Sequence, residues 1–273
     1  MKKLSFLIVI CFISLAAFSQ INDSKLLPSE ALTLMINKVE NNPGVKRIEL
    51  TKPYLTRLIT DSLSKEEQFC LGEVYFWNFM PKESFNSFST LLDGNDLFAR
   101  AAWHRTMIIN IRAFKKVDEV EKQLSKFRKK FNRIPSDPDY LYSRVYDLAD
   151  IYLKKQNHKK IVELIEQEIK GLKHDGPYKS LLLPAIFIDS FKEVGRYDYA
   201  IKLLKESKFE LEKTYNYRLN NIPKGDTDYL VHSSRVKGML TVVNKKLSYT
   251  QINDLFKVLI SNLDNALNKF EQS

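Results

Sequence analysis

The sequence has few of the residues that build catalytic, metal-binding or disulfide-bonded sites. It contains two cysteines, and only Cys70 lies outside the N-terminal apolar stretch, which excludes an internal disulfide in the chain that follows. The four histidines are scattered without metal-ligand spacing; they are His104, His158, His174 and His232. No glycine-rich phosphate loop and no nucleophile elbow occurs. The sequence therefore predicts no catalytic, cofactor-binding or metal site, and we expect the protein not to be an enzyme.

Residues that break helices are also scarce. The 273 residues include eight glycines and nine prolines, and the prolines cluster between apolar-periodic segments rather than inside them. No stretch alternates apolar and polar residues as a half-buried strand does. The composition therefore predicts an all-α protein.

The N-terminus has the three parts of a secretory signal peptide. Met1-Lys2-Lys3 is positively charged, residues 4–15 are mostly apolar, and Ala17-Phe18-Ser19 places small residues where a signal peptidase reads them. A retained membrane anchor is the alternative, but the apolar run is shorter than the ~20 residues that spanning needs. We expect cleavage before Gln20 and export to the periplasm or the medium. The loss of two lysines lowers the formal charge from +10 to +8.

Apolar residues recur at helical spacing through the rest of the chain. Two predicted helices form an N-terminal cap and span residues 29–41 and 54–63. Ten more form five antiparallel hairpins, which span 64–79 with 83–92, 97–114 with 118–131, 139–155 with 159–172, 178–194 with 198–213, and 228–247 with 250–270. Pro184 predicts a kink or a delayed start in its helix, and residues 214–226 predict a long loop.

A shared register through these hairpins indicates an internal repeat. Residues 148–161 and 187–200 carry nearly the same pattern, 39 residues apart from Tyr152 to Phe191. The equivalent positions in the five hairpins are Tyr75, Ile111, Tyr152, Phe191 and Val243. Six residues later come Pro81, Val117, His158, Tyr197 and Tyr249, and three beyond those come Ser84, Val120, Ile161, Ala200 and Ile252. Self-similarity at such a period is typical of stacked helical repeats.

These residues resemble tetratricopeptide (TPR) repeats. The elements that carry the resemblance are Leu71-Gly72 with Tyr75, Leu148-Ala149 with Tyr152, and the turn and second-helix residues Gly195, Tyr197 and Ala200. Ile161 and Ile252 depart from the family's small-residue position, and the units exceed the usual ~34 residues. The resemblance implies a right-handed α-solenoid of about five antiparallel hairpins with a short N-terminal helical cap. We expect a signal peptide over 1–19, a leader and cap over 20–63, and the repeat domain over 64–273.

The resemblance also implies a groove lined by the first helix of each hairpin. The side chains predicted on this face include the aromatic and arginine residues that protein-binding hot spots favour. They are Phe69, Glu73, Phe76, Trp77, Arg105, Ile109, Arg112, Tyr146, Asp150, Leu153, Ala185, Asp189 and Lys192. Because Tyr75, Phe76 and Trp77 are consecutive, at least one points away from the hairpin interior, either exposed or covered by the cap.

The hairpin turns carry cations, which we call the basic edge. They are Lys82, Lys115, Lys116, Lys154, Lys155, Lys159, Lys160, Lys192, Arg196, Lys245 and Lys246. Equivalent turns of stacked hairpins lie roughly 10 Å apart, so these cations predict a surface that faces anionic envelope material or an acidic partner. The alternative is that lysines at helix ends complement the helix dipole and are simply solvated.

The predicted function is that of an exported, non-catalytic scaffold that binds a protein or peptide partner in the cell envelope. The alternative is recognition of an anionic glycan or membrane surface through the basic edge, and an enzyme without a recognisable motif is a third. No cofactor is expected, and export argues against a nucleic-acid partner. The sequence does not predict the oligomeric state or the identity of the partner.

Overall fold

The structure is a computed structural model that describes residues 24–131, 138–172, 176–224, 227–236 and 239–272. Side chains are described for these residues except 138–141 and 227–247. The predicted signal peptide over 1–19 lies outside the described residues. The chain divides into two compact units, of which the first ends at Asp93 and the second begins at Gly94.

In the first unit, helical hairpin 1 packs against two leading helices. The described helices are α1 (Pro28–Glu40), α2 (Arg47–Leu55), α3 (Lys65–Trp77) and α4 (Pro81–Ser89), with α3 and α4 forming hairpin 1. The second helix of the predicted cap therefore lies earlier in the chain than residues 54–63. Pro53 lies inside this helix, which ends at Leu55, and Leu58 then pairs with Leu26 in an isolated β-bridge.

The start of α3 is fixed by the residue that the sequence indicates. The Ser64 hydroxyl accepts a hydrogen bond from the backbone N–H of Glu67 (3.2 Å), which satisfies one of the open donors at the helix start. The Glu67 carboxylate does not complete a capping box with Ser64. It accepts instead from the backbone N–H of Ser29 (2.8 Å), and so it caps α1.

In the second unit, three helical hairpins are followed by a β-hairpin and a single long helix. The elements are α5 (Leu97–Arg112), α6 (Val117–Lys130), α7 (Pro138–Lys154), α8 (His158–Lys170), a 3₁₀ helix (Lys179–Leu182), α9 (Leu183–Ile186), α10 (Ile188–Glu193), α11 (Tyr197–Asn221), β1 (Thr227–Val236), β2 (Met239–Ser248) and α12 (Tyr249–Glu271). Hairpin 2 is α5 with α6, and hairpin 3 is α7 with α8. Hairpin 4 pairs the 3₁₀ helix, α9 and α10 with α11.

The segment predicted as one helix over residues 178–194 is divided into a 3₁₀ helix, α9 and α10, in agreement with the interruption predicted at Pro184. Pro184 lies in the first turn of α9, where its missing N–H costs no hydrogen bond, and a 3₁₀ helix precedes it. The loop predicted over residues 214–226 is wrong in its first half, because α11 continues to Asn221. Residues 214–222 contain neither glycine nor proline, so nothing local stops the helix before Pro223.

The four hairpin turns share one backbone conformation, which confirms the register predicted through hairpins 1 to 4. The residue four positions after each register residue has a left-handed φ of 53–69°; these residues are Phe79, Lys115, Gln156 and Gly195. The backbone N–H of the next residue donates a hydrogen bond to a carbonyl of the first helix, as Asn157 does to Tyr152 (2.9 Å). The second helices begin at Pro81, Val117, His158 and Tyr197, which is one or two residues before the predicted starts at residues 83, 118, 159 and 198.

We predict opposite stability changes at two of these turns. Gly195→Ala should lower the free energy of unfolding by about 1 kcal/mol, because a Cβ disfavours the left-handed region although no atom lies within 4 Å of it. Gln156→Gly should raise the free energy of unfolding by up to about 1 kcal/mol for the same reason. Urea denaturation of each variant measures the change. Equal stability of the Gly195→Ala variant and the wild type would contradict the prediction.

The helix predicted over residues 228–247 is wrong, because β1 and β2 form an antiparallel β-hairpin there. Ten pairs join the strands, from Thr227 opposite Ser248 to Val236 opposite Met239. β-Branched residues are dense in this segment, including the run Thr241-Val242-Val243, and they favour strands over helices. The first helix of the predicted fifth hairpin is therefore absent from the described residues, and β2 lies against α5.

The last helix, α12, is predicted correctly and closes the second unit. A capping box fixes its start: the Ser248 hydroxyl accepts from the Gln251 backbone (3.2 Å), and the Gln251 side chain accepts from the Ser248 backbone (3.0 Å). Its buried residues recur at helical spacing and pack on α11 and the 3₁₀ helix; they are Ile252, Phe256, Leu259, Leu263 and Leu267. α12 therefore packs directly on α11.

Candidate partner-binding surface

The predicted binding residues of hairpin 1 are mostly inside the first unit. Phe76 is half-buried, whereas three others are buried; these are Phe69, Glu73 and Trp77. The Phe69 ring packs on Phe88 of α4, with 5.2 Å between ring centroids. The guanidinium of Arg47 in α2 lies over the Trp77 ring at 4.6 Å, so the N-terminal cap covers this aromatic. The three buried residues do not form an exposed binding face, contrary to the prediction.

Hairpin 2 contributes one exposed residue from the predicted face. Arg105 and Ile109 are buried along α5, whereas Arg112 is exposed at the end of the same helix. Burial extends around most of α5, including the polar side chains Asn110 and Thr106. The Asn110 amide donates to Gln123 of α6 (2.9 Å), which satisfies a buried polar group inside the hairpin. Arg105 is thus placed in the interior rather than on a groove.

Hairpins 3 and 4 place apolar side chains at the surface of their first helices. Tyr146 and Leu153 of α7 are 39% and 41% exposed, and Ile186 at the end of α9 is 44% exposed. We call these three residues the apolar patch. Tyr146 and Leu153 are seven positions apart and so lie on one side of α7. The Tyr146 ring contacts the ring of Phe187, the residue that follows Ile186 (5.4 Å between centroids). The apolar patch therefore contains residues from the first helices of two hairpins.

The predicted carboxylates of this face lie beside the apolar patch. Asp150 is half-exposed and pairs with Lys154 one turn later (2.7 Å). Asp189 has a side chain that is 88% exposed and lies 3.9 Å from the Lys192 ammonium. Three of the predicted binding residues, Tyr146, Asp150 and Asp189, are thus exposed or half-exposed at the surface. Ile186 is not among the predicted residues, although it directly follows the predicted Ala185.

The basic edge is partly neutralised by ion pairs. The Lys160 ammonium lies 3.0 Å from the Glu121 carboxylate of α6, and Arg196 forms an ion pair with Glu166 of α8. Five lysines of the edge are exposed at the turns and form no ion pair among the described residues; they are Lys82, Lys115, Lys116, Lys155 and Lys159. The side chains of Lys245 and Lys246 lie outside the description, and their backbone belongs to β2.

A cleft of about 240 Å³ lies between the second helices α6 and α8. Its lining includes Lys160 and Glu121, which pair with each other, and Arg128. Arg128 binds the buried Glu168 carboxylate (2.6 Å), which also accepts a hydrogen bond from Ser180 (2.7 Å). The charges that line this cleft therefore hold neighbouring hairpins together.

Solved structures include chains that are similar to this protein. No family model and no curated protein matches the sequence. Among solved structures, the chain is similar to a putative kinesin light chain of Podospora anserina with nearly identical TPR-like repeats. The two share 16% identity over 76% of this chain and 95% of that chain, at a TM-score of 0.32. The assignment of a TPR-like fold rests on the helical hairpins of this chain and on the backbone conformation that their four turns share.

Among the described residues, no three histidine, cysteine, aspartate or glutamate side chains come together as metal ligands. Burial and the nearby carboxylates of Glu67, Glu66 and Glu73 raise the pKa of the Cys70 thiol to about 12, so little thiolate forms at neutral pH. None of the described helices is long and apolar enough to cross a membrane.

The buried side chain of His104 should make the stability of the folded protein depend on pH. Burial lowers the pKa of His104 well below its usual value, and the positive charges of Arg144, Arg100 and Arg105 lower it further. The unfolded chain therefore binds a proton below pH 6.5 that the folded protein excludes, so stability should fall as pH falls, by up to about 1.4 kcal/mol per pH unit. Urea denaturation of the wild type and a His104→Phe variant between pH 7 and 5 measures this difference. Parallel curves would contradict the prediction.

Proposed function

We propose that this protein is exported and acts as a TPR-like scaffold that holds a protein or peptide partner of the cell envelope without catalysing a reaction. The signal-peptide pattern of residues 1–19 supports export. A stack of helical hairpins offers an extended surface rather than a deep pocket, which suits binding of another chain.

The exposure of the apolar patch is the observation that carries this proposal. Tyr146 and Leu153 expose about two fifths of their surface on one side of α7, and Ile186 exposes a similar fraction at the end of α9. Exposed apolar groups that cluster with a tyrosine are typical of protein-binding surfaces. Asp150 lies between Tyr146 and Leu153 along α7 and supplies a polar group of the kind found at the rim of such surfaces.

Site-specific photo-crosslinking in the producing cell tests the proposal. A photoreactive residue at Leu153 or Ile186 should yield a discrete crosslinked species in the envelope fraction. Phe209 is the matched control, because it is 64% exposed on α11, outside the first-helix face. The crosslink should also disappear when Tyr146→Ser is added. A crosslinked species that forms from Phe209 alone, or one that persists in the Tyr146→Ser variant, would contradict the proposal.

A second candidate function is the recognition of an anionic glycan or membrane surface through the basic edge. Exposed Lys155 and Lys159, which have no ion-pair partner among the described residues, favour it. Such binding should weaken steeply with ionic strength, whereas binding at the apolar patch should not. Sedimentation with anionic liposomes, with and without Lys115→Gln, Lys155→Gln and Lys159→Gln together, distinguishes the two. Binding that is insensitive to salt and to these changes would exclude the basic edge.

A further inference from the structure

The β-hairpin has an outer edge along β1 with which no described strand pairs. β1 pairs with β2 over ten residues and with no other strand of the described residues. The hairpin contacts α5 through β2, and β1 begins beside α12, because Thr227 lies opposite Ser248, the residue before that helix. In an antiparallel pair, the N–H and C=O groups of alternate residues point away from the neighbouring strand. Half of the backbone groups of β1 therefore lie along this outer edge.

The outer edge lacks the features with which edge strands usually avoid pairing with another chain. Those features are short length, a bulge, proline and lysine. β1 has ten residues, whereas the usual strand has about five or six. Its ten pairs with β2 follow one another without a bulge, and it contains neither proline nor lysine. Its charged residues, Asp228 and Arg235, lie near its two ends, whereas β2 contains Lys245 and Lys246.

A second copy of the chain fits this edge in an antiparallel, two-fold symmetric register. Residues that lie directly opposite each other in an antiparallel pair either both bond to each other or both do not, and the two kinds of pair alternate. The two-fold axis therefore passes between two copies of one residue. Pairing along the whole strand places the axis at Val231 or at His232. In either register Asp228 and Arg235 lie opposite uncharged residues, so no like charges face each other.

We propose that two copies of this protein associate through the outer edges of their β1 strands and form one four-stranded antiparallel sheet. This pairing supplies hydrogen-bond partners for the outer backbone groups of both strands, in about eight bonds. A sheet of four strands is also more stable than a ribbon of two. The second copy is the occupant that the edge itself specifies, because one strand provides both halves of a closed, two-fold interface. The inference is independent of the proposed function, and the dimer contains the apolar patch twice.

Single-cysteine crosslinking tests the proposed dimer and measures its register. Cysteine is placed at each of residues 229–234 in turn, in a chain whose two own cysteines are replaced by alanine. At the two-fold axis the Cα atoms of the two copies lie about 4.5–5.5 Å apart, within the range of a disulfide. One residue further along, the same distance is about 8 Å and exceeds that range.

We expect a disulfide-linked dimer from either Val231→Cys or His232→Cys, with about fivefold lower yields at the other positions. Phe209→Cys, at an exposed residue of α11, measures the yield from random collisions. A sharp maximum at any one position of residues 229–234 supports the pairing of the two β1 strands. Yields that are uniform and no higher than that of Phe209→Cys would overturn the proposal.

Proline substitutions distinguish pairing between two copies from pairing within one copy. Val231 and His232 are consecutive, so the N–H of one faces β2 and the N–H of the other faces the outer edge. Proline at the outward position should convert the dimer to a monomer in light scattering, while amide hydrogen exchange in β2 stays slow. Proline at the other position should accelerate exchange in β2, because it removes a bond between the strands. A wild-type mass of one chain, or a dimer that persists with each proline, would overturn the proposal.

Discussion

Gly72→Ala should lower the free energy of unfolding of the first unit by about 3 kcal/mol. A Cβ atom at residue 72 would lie 2.5–2.7 Å from ring atoms of Phe88, which is fully buried and contacts the Phe69 ring. Because the Phe88 ring is fully buried, moving it away from the added Cβ would displace the side chains that surround it. In an unobstructed helix the same substitution would stabilise by about 1 kcal/mol, so the sign of the change tests the close approach of α3 and α4.

Gly171→Ala is the matched control for this prediction. A Cβ there would meet its nearest neighbours, backbone oxygens of α8, at 3.4 and 3.5 Å, and we expect a change within about 0.5 kcal/mol. Trp77 belongs to the first unit and Trp103 to the second, so fluorescence of a Trp103→Phe background reports on the first unit during urea denaturation. Equal effects of the two alanine substitutions would show that Gly72 is not held against Phe88.

Glu168→Ala should lower the free energy of unfolding of the second unit by about 3 kcal/mol. The Glu168 side chain is fully buried, and its carboxylate binds Arg128 (2.6 Å) and the Ser180 hydroxyl (2.7 Å). Removing it leaves the largely buried guanidinium of Arg128 without this counter-charge, which is the costly part of breaking a buried ion pair. These contacts join α6, α8 and the 3₁₀ helix, so one substitution loosens three consecutive hairpins. Urea denaturation followed by far-ultraviolet circular dichroism measures the loss.

Asp150→Ala provides the comparison for an exposed pair. Its contact with Lys154 is equally short (2.7 Å), but water solvates both groups, so we expect a change of about 0.5 kcal/mol or less. Adding Arg128→Met to Glu168→Ala should recover part of the lost stability, because the unpaired charge is then removed as well. If Glu168→Ala costs no more than Asp150→Ala, the buried network does not hold the hairpins together.

Most helices of the fold could be predicted because their signals are local. Pro184, Ser64 and the residues at each turn act on the backbone directly, so the positions at which the second helices begin follow from the sequence. The β-hairpin could not be predicted from helical spacing, because Leu240, Val243 and Leu247 also fit one face of a helix. Their β-branched neighbours and the pairing with β1 decide the outcome, and strand pairing is not a local property.

The candidate surface was predictable only in part, for a related reason. Register places Tyr146, Asp150 and Asp189 on one face, and these residues are exposed or half-exposed in the structure. The same register places Trp77 and Arg105 there, but both are buried. Register states which side of a helix a residue occupies, and it contains no information about what covers that side. Arg47 of α2 covers Trp77 through a contact between separate helices, which no spacing within α3 reveals.

The β-hairpin also bears on how the second unit assembles during synthesis. Hairpins 2, 3 and 4 contact their neighbours soon after each leaves the ribosome, because their partners are close in the sequence. The contact between β2 and α5 joins the two ends of the unit, so it closes a far longer loop and carries a larger entropic cost. We therefore expect this contact to form after those within hairpins 2 to 4, because a nascent chain that has reached only α11 already contains every partner that these hairpins need from one another.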